Sequence, residues 1–588
     1  MNLLSLLEDR LQSALTGIAP EPTRYRGLVK PTKDAAFGDY QANCAMGLAK
    51  ELGAKPRDIA EQIATRLREG DLFASVDVAG PGFINLKLRS EWIAESVRNL
   101  AGDERLGIPS VTQPLRFVID YSSPNVAKPM HVGHLRSTII GDALTRLLRF
   151  LGHSVVTDNH LGDWGTQFGM LIHGWRHHLD PAALEADPIR EMTRLYVLVR
   201  QQIEAAGGTA GEGEEAAEDA ANPVADACRA ETAKLHAGDP ENNALWTRMM
   251  PWCLEELNRV YRRLGILPFD HILGESAYNP LLPGVAEELA AKGIAEESQG
   301  ALIITFGENQ PIALIRKRDG AFTYMTTDLA TIRKRVDEFQ AQVLLYVVDF
   351  RQALHFQQLF TAARRWGYDQ VRFEHVQFGS VLGKDGRPIK TREGGAVELA
   401  ALLDEAVQRA RQIVDANSPE LSDVERAEVA EQVGIGAVKY ADLSQNRASD
   451  YRFSWEKMLA MDGNTAAYMQ YAVARVRSIF RKHDLTPDSL RQQPPLPSLA
   501  TPAERLLAVQ LLRFPEAVAA AAAEFLPHLI TGYLWDLANA YSGFYQQCPV
   551  LKAETAELRQ SRLLLCDLTA RTIEQGLALL GIGTPERM

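Results

Sequence analysis

The spacing of apolar residues changes along this chain, and the changes divide it into three parts. Near the start, leucines recur at helical spacing at positions 3, 4, 7, 11 and 15, and residues 57–68 repeat the pattern of an amphipathic helix. Residues 76–79 and 83–88 instead alternate between apolar and polar positions around the turn at 80–82, which predicts two strands. Residues 1–110 are therefore predicted to form an α+β unit.

The middle of the chain has the pattern of a parallel sheet. The apolar run 117–119 is followed by apolar residues at helical spacing from Leu135 to Leu151, and then by a predicted strand at 154–157. A strand, a helix and a strand in this order predict the start of a doubly wound α/β domain at 111–400. Within it we expect a helical insertion at about 170–265, a return of the sheet with a strand at 301–306, a hairpin at 312–324 turning on Asp319-Gly320, and a buried strand at 343–348.

From about residue 400 the pattern is wholly helical, with a connecting region at 401–455 and a helical bundle at 456–588. The predicted helix 467–482 alternates aromatic and basic residues, namely Tyr468, Tyr471, Arg475, Arg477, Arg481 and Lys482. Such a helix is often only a solvent-exposed face. The alternative is an RNA-binding helix, because cations hold phosphates and aromatic rings stack on unpaired bases.

Composition is that of a globular protein, with 46% hydrophobic and 23% charged residues among 588. No unbroken apolar run reaches the roughly 20 residues of a membrane span. Charges at positions 8–10 interrupt the apolar stripe of the first helix, so we expect neither a signal peptide nor a membrane partner. Five scattered cysteines suggest neither a disulfide framework nor a zinc cage, which favours the cytoplasm.

The net charge of −12 argues mildly against a nucleic-acid partner, but a local basic face is sufficient for RNA binding. Part of the acidity lies in the Gly-, Ala- and Glu-rich segment 207–220, which we interpret as a solvated insertion.

The segment 123–134 contains the most distinctive chemistry, the tetrapeptide His131-Val132-Gly133-His134. It lies between a predicted strand and a predicted helix, which is the setting in which a loop and a helix N-terminus hold a phosphate. Two imidazoles three residues apart can both face a polyanion, and Gly133 lets a flat base approach the backbone. A metal pair is the first alternative, but zinc requires further ligands; a purely structural helix start is the second.

This tetrapeptide resembles the HIGH signature of class I aminoacyl-tRNA synthetases. Further segments resemble the arginyl-tRNA synthetases, specifically those of bacterial type, over nearly the whole chain in the right order: residues 37–41, 80–85, 161–169, 326–330, 383–395 and 584–588. The resemblance implies a Rossmann-like catalytic domain, an N-terminal domain that contacts the tRNA elbow, and an all-α anticodon-binding bundle.

The implied reaction is activation of L-arginine by ATP, with Mg²⁺ accompanying ATP and no zinc, followed by transfer to arginine tRNA. His131 and His134 are expected to donate hydrogen bonds to phosphate oxygens and Lys128 to add a charge beside them, with Gly133 against ATP. The loop matching the KMSKS signature has Pro388 where the first lysine belongs. In the family Lys128 takes over that role, and the loop's own candidates are Lys384, Lys390 and Arg392.

Arginine selection is expected to rest on carboxylates, since a guanidinium pairs best with an acid in bidentate geometry. Family motifs match Tyr324, Asp328 and Glu275 for the guanidinium, and Asn125, Asn159 and Gln352 for the ammonium and carboxylate of the amino acid. The alternatives are that Asp328 is an ordinary helix-start residue and that Glu275 is a solitary loop acid. The segment Gly162-Asp163-Trp164-Gly165 is expected to be a shaped turn that packs the pocket wall.

For tRNA, the resemblance implies contacts by Arg475, Arg477, Arg481, Lys482 and Met588, a monomer, and an activation step that requires bound tRNA. Two other functions are compatible with parts of this pattern. One is a class I synthetase for cysteine, glutamine or lysine, and the other is an RNA-binding or regulatory paralogue that has lost catalysis.

Overall fold

The computed structural model describes residues 2–32, 34–206, 222–307, 310–383, 385–387 and 397–588. The acidic segment 207–220 and the loop residues Lys384, Lys390 and Arg392 lie outside the described residues.

The first unit is an antiparallel sheet covered by helices, as predicted. Its elements are α1 (Leu3–Leu15), β1 (Val29–Pro31), β2 (Tyr40–Ala42), α2 (Ala45–Leu52), α3 (Pro56–Leu67), β3 (Phe73–Ala79), β4 (Phe83–Leu88) and α4 (Ser90–Leu100). The strand order is β1-β2-β4-β3. The leucine stripe of α1 is buried at positions 3, 7, 11 and 15, so helical spacing predicted the buried face correctly.

The second unit is built on a five-stranded parallel sheet. Its strands are β5 (Arg116–Asp120), β6 (Ser154–Leu161), β7 (His271–Gly274), β11 (Val343–Tyr346) and β12 (Arg372–His375). Their order is β12-β11-β5-β6-β7, and every neighbouring pair is parallel. Along the chain, β6 and β7 are added on one side of β5, and β11 and β12 are added later on its other side. A crevice therefore opens at the carboxyl ends of the strands beside β5.

Helices complete this unit. They are α5 (Val132–Phe150), the insertion helices α6 (Thr166–His178), α7 (Pro181–Ala186), α8 (Pro188–Ala205), α9 (Pro223–His236) and α10 (Pro240–Leu264), and then α11 (Leu282–Ala291), α12 (Tyr324–Asp337) and α13 (Ala353–Trp366). The predicted strand–helix–strand start, the helical insertion and the buried strand β11 are all confirmed.

One expectation in this region was wrong, and another is confirmed only in part. The strand predicted at 301–306 does not join the parallel sheet; β9 (Ala301–Ile304) pairs antiparallel with β8 (Glu296–Ser298) and β10 (Ala313–Arg316) in a separate sheet. The turn at Asp319-Gly320 forms, but its second arm makes only a single bridge, because the chain enters α12 at Tyr324. A short apolar run predicts burial, and it does not specify which strand becomes its partner.

Among the described residues after β12, one short ladder accompanies the helices: β13 (Val381–Leu382) pairs in parallel with β14 (Tyr451–Arg452). The helices are α14 (Leu399–Asn417), α15 (Asp423–Leu443), α16 (Trp455–Met458), α17 (Ala466–Lys482), α18 (Asp488–Gln492), α19 (Pro502–Leu512), α20 (Phe514–Glu524), α21 (His528–Gln547) and α22 (Ala556–Leu579). The stretch Pro502–Glu524 is long and apolar enough to span a membrane by length and composition, yet it comprises two helices and is 56% buried within the protein.

Candidate active site

The signature tetrapeptide begins at the N-cap of α5, which follows β5 after the loop 121–130. His131 is the N-cap: its Nδ1 accepts from the backbone N–H of Gly133 at 3.0 Å, while its own N–H donates to Nδ1 of His134 at 3.2 Å. Because both Nδ1 atoms accept, each imidazole carries its proton on Nε2. The ring centroids lie 4.0 Å apart, so the sequence spacing does bring the two donors together.

The charge state of this cluster follows from its burial. Burial, followed by the charge of Lys128, lowers the pKa of His131 to about 4, and burial lowers the pKa of His134 well below its ordinary value. Burial and the charge of Arg200 lower the pKa of Lys128 to about 8. At neutral pH the cluster is therefore two neutral N–H donors beside a cation, which suits phosphate oxygens. Arg200, on insertion helix α8, had no sequence signal that pointed to this site.

The segment that leaves the KMSKS-like loop pairs with the signature. The backbone N–H of Val132 donates to Val397 O at 3.0 Å, and Leu399 N–H donates to Met130 O at 2.8 Å. The segment entering the loop is held at β13 by its ladder with β14. Both ends of the loop are thus anchored, one of them against the backbone of the histidine cluster.

Acidic residues gather farther along the same edge of the sheet. Glu275 follows β7 directly, and Asp328 lies in the second turn of α12, whose first residue, Tyr324, is 64% exposed. Burial, then the charges of Asp163 and Asp328, raise the pKa of Glu275 to about 7. Asp163 lies in the turn after β6, Glu275 directly after β7 and Asp328 near the start of α12, and we refer to these three carboxyls as the acidic cluster.

Helix α12 is fixed by a buried cation. Arg335 is completely buried and makes 2.8 Å ion pairs with Asp120, at the end of β5, and Asp158, in β6. It therefore ties the helix that bears Asp328 to the two central strands. No sequence pattern indicated this role, because Arg335 and its two partners are distant from one another along the chain.

The turn at 162–165 holds Glu275 in place. The Asp163 carboxylate accepts from the backbone N–H and from the hydroxyl of Ser276, at 3.0 and 2.6 Å. A Cβ built on Gly274 would lie 2.0 Å from the same carboxylate, so only glycine fits there. The turn thus packs against residues 274–276, while its place in the wall of an arginine pocket stays a prediction.

The amides predicted to hold the amino acid differ in position. Asn159 is 1% exposed; its Oδ1 accepts from Ser123 N–H at 3.0 Å and its Nδ2 donates to the Tyr261 hydroxyl at 3.1 Å. It braces the signature loop, where Ser123 has a left-handed φ of 46°. Asn125 packs against Gly162, and Gln352 is exposed at the end of a 3-10 turn after β11.

On helix α17 the basic residues have different environments. The Arg475 guanidinium lies 4.6 Å from the Tyr471 ring centroid and 5.5 Å from that of Tyr545, forming an aromatic and cationic surface. Arg477 instead pairs with Glu574 at 2.8 Å and donates to Pro585 O at 3.1 Å, so it holds the C-terminal segment. Arg481 donates to Glu586 O at 3.5 Å, Lys482 is exposed, and Met588 packs half-buried against the core.

Sequence reasoning also missed Arg136, one residue beyond Leu135 on the signature helix. It is 1% exposed, pairs with Asp442 of α15 at 3.0 Å and donates to Gly379 O at 2.7 Å. It thereby joins the signature helix to the helical half of the chain. Its only signal was an arginine within an apolar helical stretch.

Three sequence models of protein families match the chain. They are described as "tRNA synthetases class I (R), catalytic domain" over residues 96–455, "DALR anticodon binding domain" over 469–588 and "Arginyl tRNA synthetase N terminal domain" over 5–88. Curated arginine–tRNA ligases of Proteus mirabilis and Rhodopirellula baltica are 45% and 42% identical, with all of each chain covered. The chain belongs to the arginyl-tRNA synthetase family.

Solved structures agree with this assignment. Arginyl-tRNA synthetases of Plasmodium falciparum and Thermus thermophilus match over the full length of both chains, with TM-scores of 0.83 and 0.81 at 28% identity. The predicted family and fold class, a class I arginyl-tRNA synthetase architecture with an α+β N-terminal unit and a helical C-terminal bundle, are confirmed.

Proposed function

We propose that this chain is an arginine–tRNA ligase. In the first step an arginine carboxylate oxygen attacks the α-phosphorus of ATP, forming arginyl-adenylate and displacing pyrophosphate. In the second, a ribose hydroxyl of the 3′-terminal adenosine of arginine tRNA attacks the activated carbonyl and displaces AMP. The observation that supports this best is the meeting of a phosphate-type cluster and an acidic cluster at one edge of a single parallel sheet.

The phosphate end is assigned to His131, His134 and Lys128. Each neutral imidazole donates its Nε2–H, and Lys128 supplies a positive charge, so the group stabilises charge on the phosphoryl oxygens without taking a proton. Gly133, exposed in the first turn of α5, leaves room for ATP beside the helix. Mg²⁺ accompanies ATP in this proposal, and the loop residues Lys384, Lys390 and Arg392 remain candidates for binding pyrophosphate.

The arginine end is assigned to the acidic cluster. Asp328 and Glu275 receive the guanidinium with the Tyr324 hydroxyl, while Asn125 and Gln352 face the amino acid's backbone groups. Asn159 contributes by holding Ser123 in place. Lysine has a single ammonium group, so it would leave unpaired some of the acceptors that a planar guanidinium satisfies. This difference selects arginine over lysine at the site itself.

The tRNA surfaces are assigned to the two outer units. Tyr471, Arg475 and Tyr545 offer stacking rings and a cation for unpaired anticodon bases, with Lys482 and Met588 nearby on the same bundle.

We divide the chain into an N-terminal domain at 1–110, a catalytic domain at 111–400, a connector at 401–455 and an anticodon-binding domain at 456–588. We further propose a cytoplasmic monomer, in line with its five free, buried cysteines.

The test is ATP–pyrophosphate exchange with each of the twenty amino acids, with and without total tRNA. Exchange with arginine alone, and only when tRNA is present, is the expected result. Exchange with another amino acid would retain the class I chemistry and exclude the arginine pocket. No exchange under any condition would indicate a non-catalytic paralogue.

A further inference from the structure

The first unit and the helical bundle are joined by a bidentate ion pair. Asp39, just before β2, meets Arg505 of α19 with oxygen–nitrogen distances of 2.7 and 2.8 Å, and the two side chains are 9% and 20% exposed. Arg505 also donates to Leu88 O at 3.0 Å, while Asp39 accepts from Leu88 N–H at 2.8 Å. Such a fork geometry fixes orientation as well as distance.

The next residue forms a second contact to the same bundle. Tyr40 is fully buried, and its hydroxyl donates to Oε1 of Glu516, on α20, at 2.5 Å. The Arg513 guanidinium lies 5.9 Å from the Tyr40 ring centroid. The consecutive residues Asp39 and Tyr40 thus contact two different helices, α19 and α20. Two such contacts oppose rotation of the first unit against the bundle.

A third contact holds the far end of the first unit. Arg571 of α22 donates to the carbonyl oxygens of Ala101 and Asp103 at 2.6 and 2.7 Å. The first unit is therefore attached to three helices of the bundle, namely α19, α20 and α22.

The local sequence is adapted to this geometry. Gly38 has a left-handed φ of 83°, and a Cβ there would lie 2.6 Å from Leu86 O. Glycine is needed for the turn that directs Asp39 toward Arg505. In the same segment Phe37 is 48% exposed, so within residues 37–40 the side chain open to a partner is Phe37 and not Asp39 or Tyr40.

We propose that Asp39 and Tyr40, through Arg505 and Glu516, are positioning residues that lock the first unit onto the helical bundle, so that both present one pre-arranged surface to tRNA. This inference rests on the proposed function, in which both units contact tRNA. If the distance between the two units is fixed, tRNA binding carries no entropic cost for ordering one unit against the other. Once the tRNA contacts one unit, its contact with the other unit forms at high effective concentration.

The decisive variant is Asp39→Asn, because electrostatics and the proposed lock predict opposite changes in its affinity for tRNA. Removing a negative charge would by electrostatics alone tighten binding of a polyanion. Loss of the lock instead weakens tRNA binding, by about tenfold if the two surfaces become loosely linked. The measurement is the dissociation constant of an arginine tRNA transcript by fluorescence anisotropy, together with KM values for tRNA, arginine and ATP.

The matched control is Asp58→Asn, which removes an exposed acid of the same unit on α3. It is expected to leave tRNA affinity unchanged or slightly tighter. In Asp39→Asn the KM for tRNA should rise while kcat at saturating tRNA and the KM for arginine stay within about twofold. Unchanged or tighter tRNA binding in a folded Asp39→Asn protein would overturn the proposal.

A second measurement does not depend on catalysis. Spin labels at Lys50→Cys and Lys552→Cys, both exposed, report the distance between the two units without labelling the buried native cysteines. One narrow distance is expected in the parent protein, and a broad distribution in Asp39→Asn and Tyr40→Phe. If Asp39→Asn does not fold, Tyr40→Phe decides in the same assays. Narrow distances in every variant would overturn the lock, whereas loss of arginine charging by the parent protein would overturn only the proposed function.

Discussion

His355 Nε2 lies 2.6 Å from Oδ2 of Asp328, so the carboxylate assigned to arginine already has a partner in the protein. Burial lowers the pKa of His355, but the hydrogen bond to Asp328 and its charge outweigh burial, and the net pKa is raised. Protonated His355 therefore competes with a guanidinium for Asp328, whereas neutral His355 merely orients it.

We accordingly expect the arginine KM to rise as the pH falls through the range in which His355 becomes protonated. His355→Gln keeps a hydrogen-bond donor and cannot titrate, so its arginine KM should rise less. The measurement is the ratio of wild-type to variant KM for arginine between pH 5.5 and 8, with the KM for ATP as control. A ratio that does not change with pH would show that His355 plays no part.

Asp328→Ala should raise the KM for arginine far more than that for ATP. Removing one partner of a half-buried charge pair costs about 2 kcal/mol, or roughly 30-fold in affinity. The control is Asp337→Ala, an exposed acid at the end of the same helix. Equal increases in both KM values would remove Asp328 from the arginine pocket.

Glu275 should release a proton when arginine binds. Its pKa of about 7 means that it is about half protonated at pH 7, and a nearby guanidinium favours the ionised form. Arginine affinity should then increase from pH 6 to pH 8. Calorimetry in buffers of different ionisation enthalpy should detect about half a proton released per arginine at pH 7. Glu275→Gln should release about half a proton fewer than the parent protein, and an unchanged value in that variant would exclude Glu275 as the source.

Lys128 should limit the activation rate at alkaline pH. Its pKa of about 8 predicts that pyrophosphate exchange falls as the pH rises above that value, since the neutral amine no longer stabilises phosphoryl charge. Lys128→Arg keeps its charge and should move this decline to higher pH. Lys128→Ala should lower the rate by about 100-fold; full activity in that variant would transfer the role to Lys384 or Lys390.

Gly274→Ala should disturb the arginine pocket through packing. Its Cβ would meet the Asp163 carboxylate that holds Ser276, next to Glu275, so we expect a loss of about 1–3 kcal/mol in stability and a higher arginine KM. The control is Gly284→Ala, on α11, where a Cβ meets nothing within 4 Å and helix propensity improves. Thermal unfolding and arginine KM together check both variants; equal stability of the two would contradict the packing argument.

The elements of this protein were largely predictable, because local rules govern them. Helical spacing located α1, α3, α5 and α17, and the position of His131 before an apolar helix located the phosphate-type cluster. Strand partners were less predictable: β9 was assigned to the wrong sheet, since a run of four apolar residues predicts burial and leaves the neighbour undetermined.

The sequence by itself determined the family, the order of the units and the residue types at the site, since each is encoded in short contiguous motifs. Only the tertiary structure decided which partner each side chain meets. Arg477 donates to Pro585 in the C-terminal segment, and His355 pairs with Asp328. Asp39 pairs with Arg505, which is 466 positions away along the chain. The physical reason is that periodicity fixes the buried side of an element, whereas contacts between distant elements depend on how all of those sides pack together.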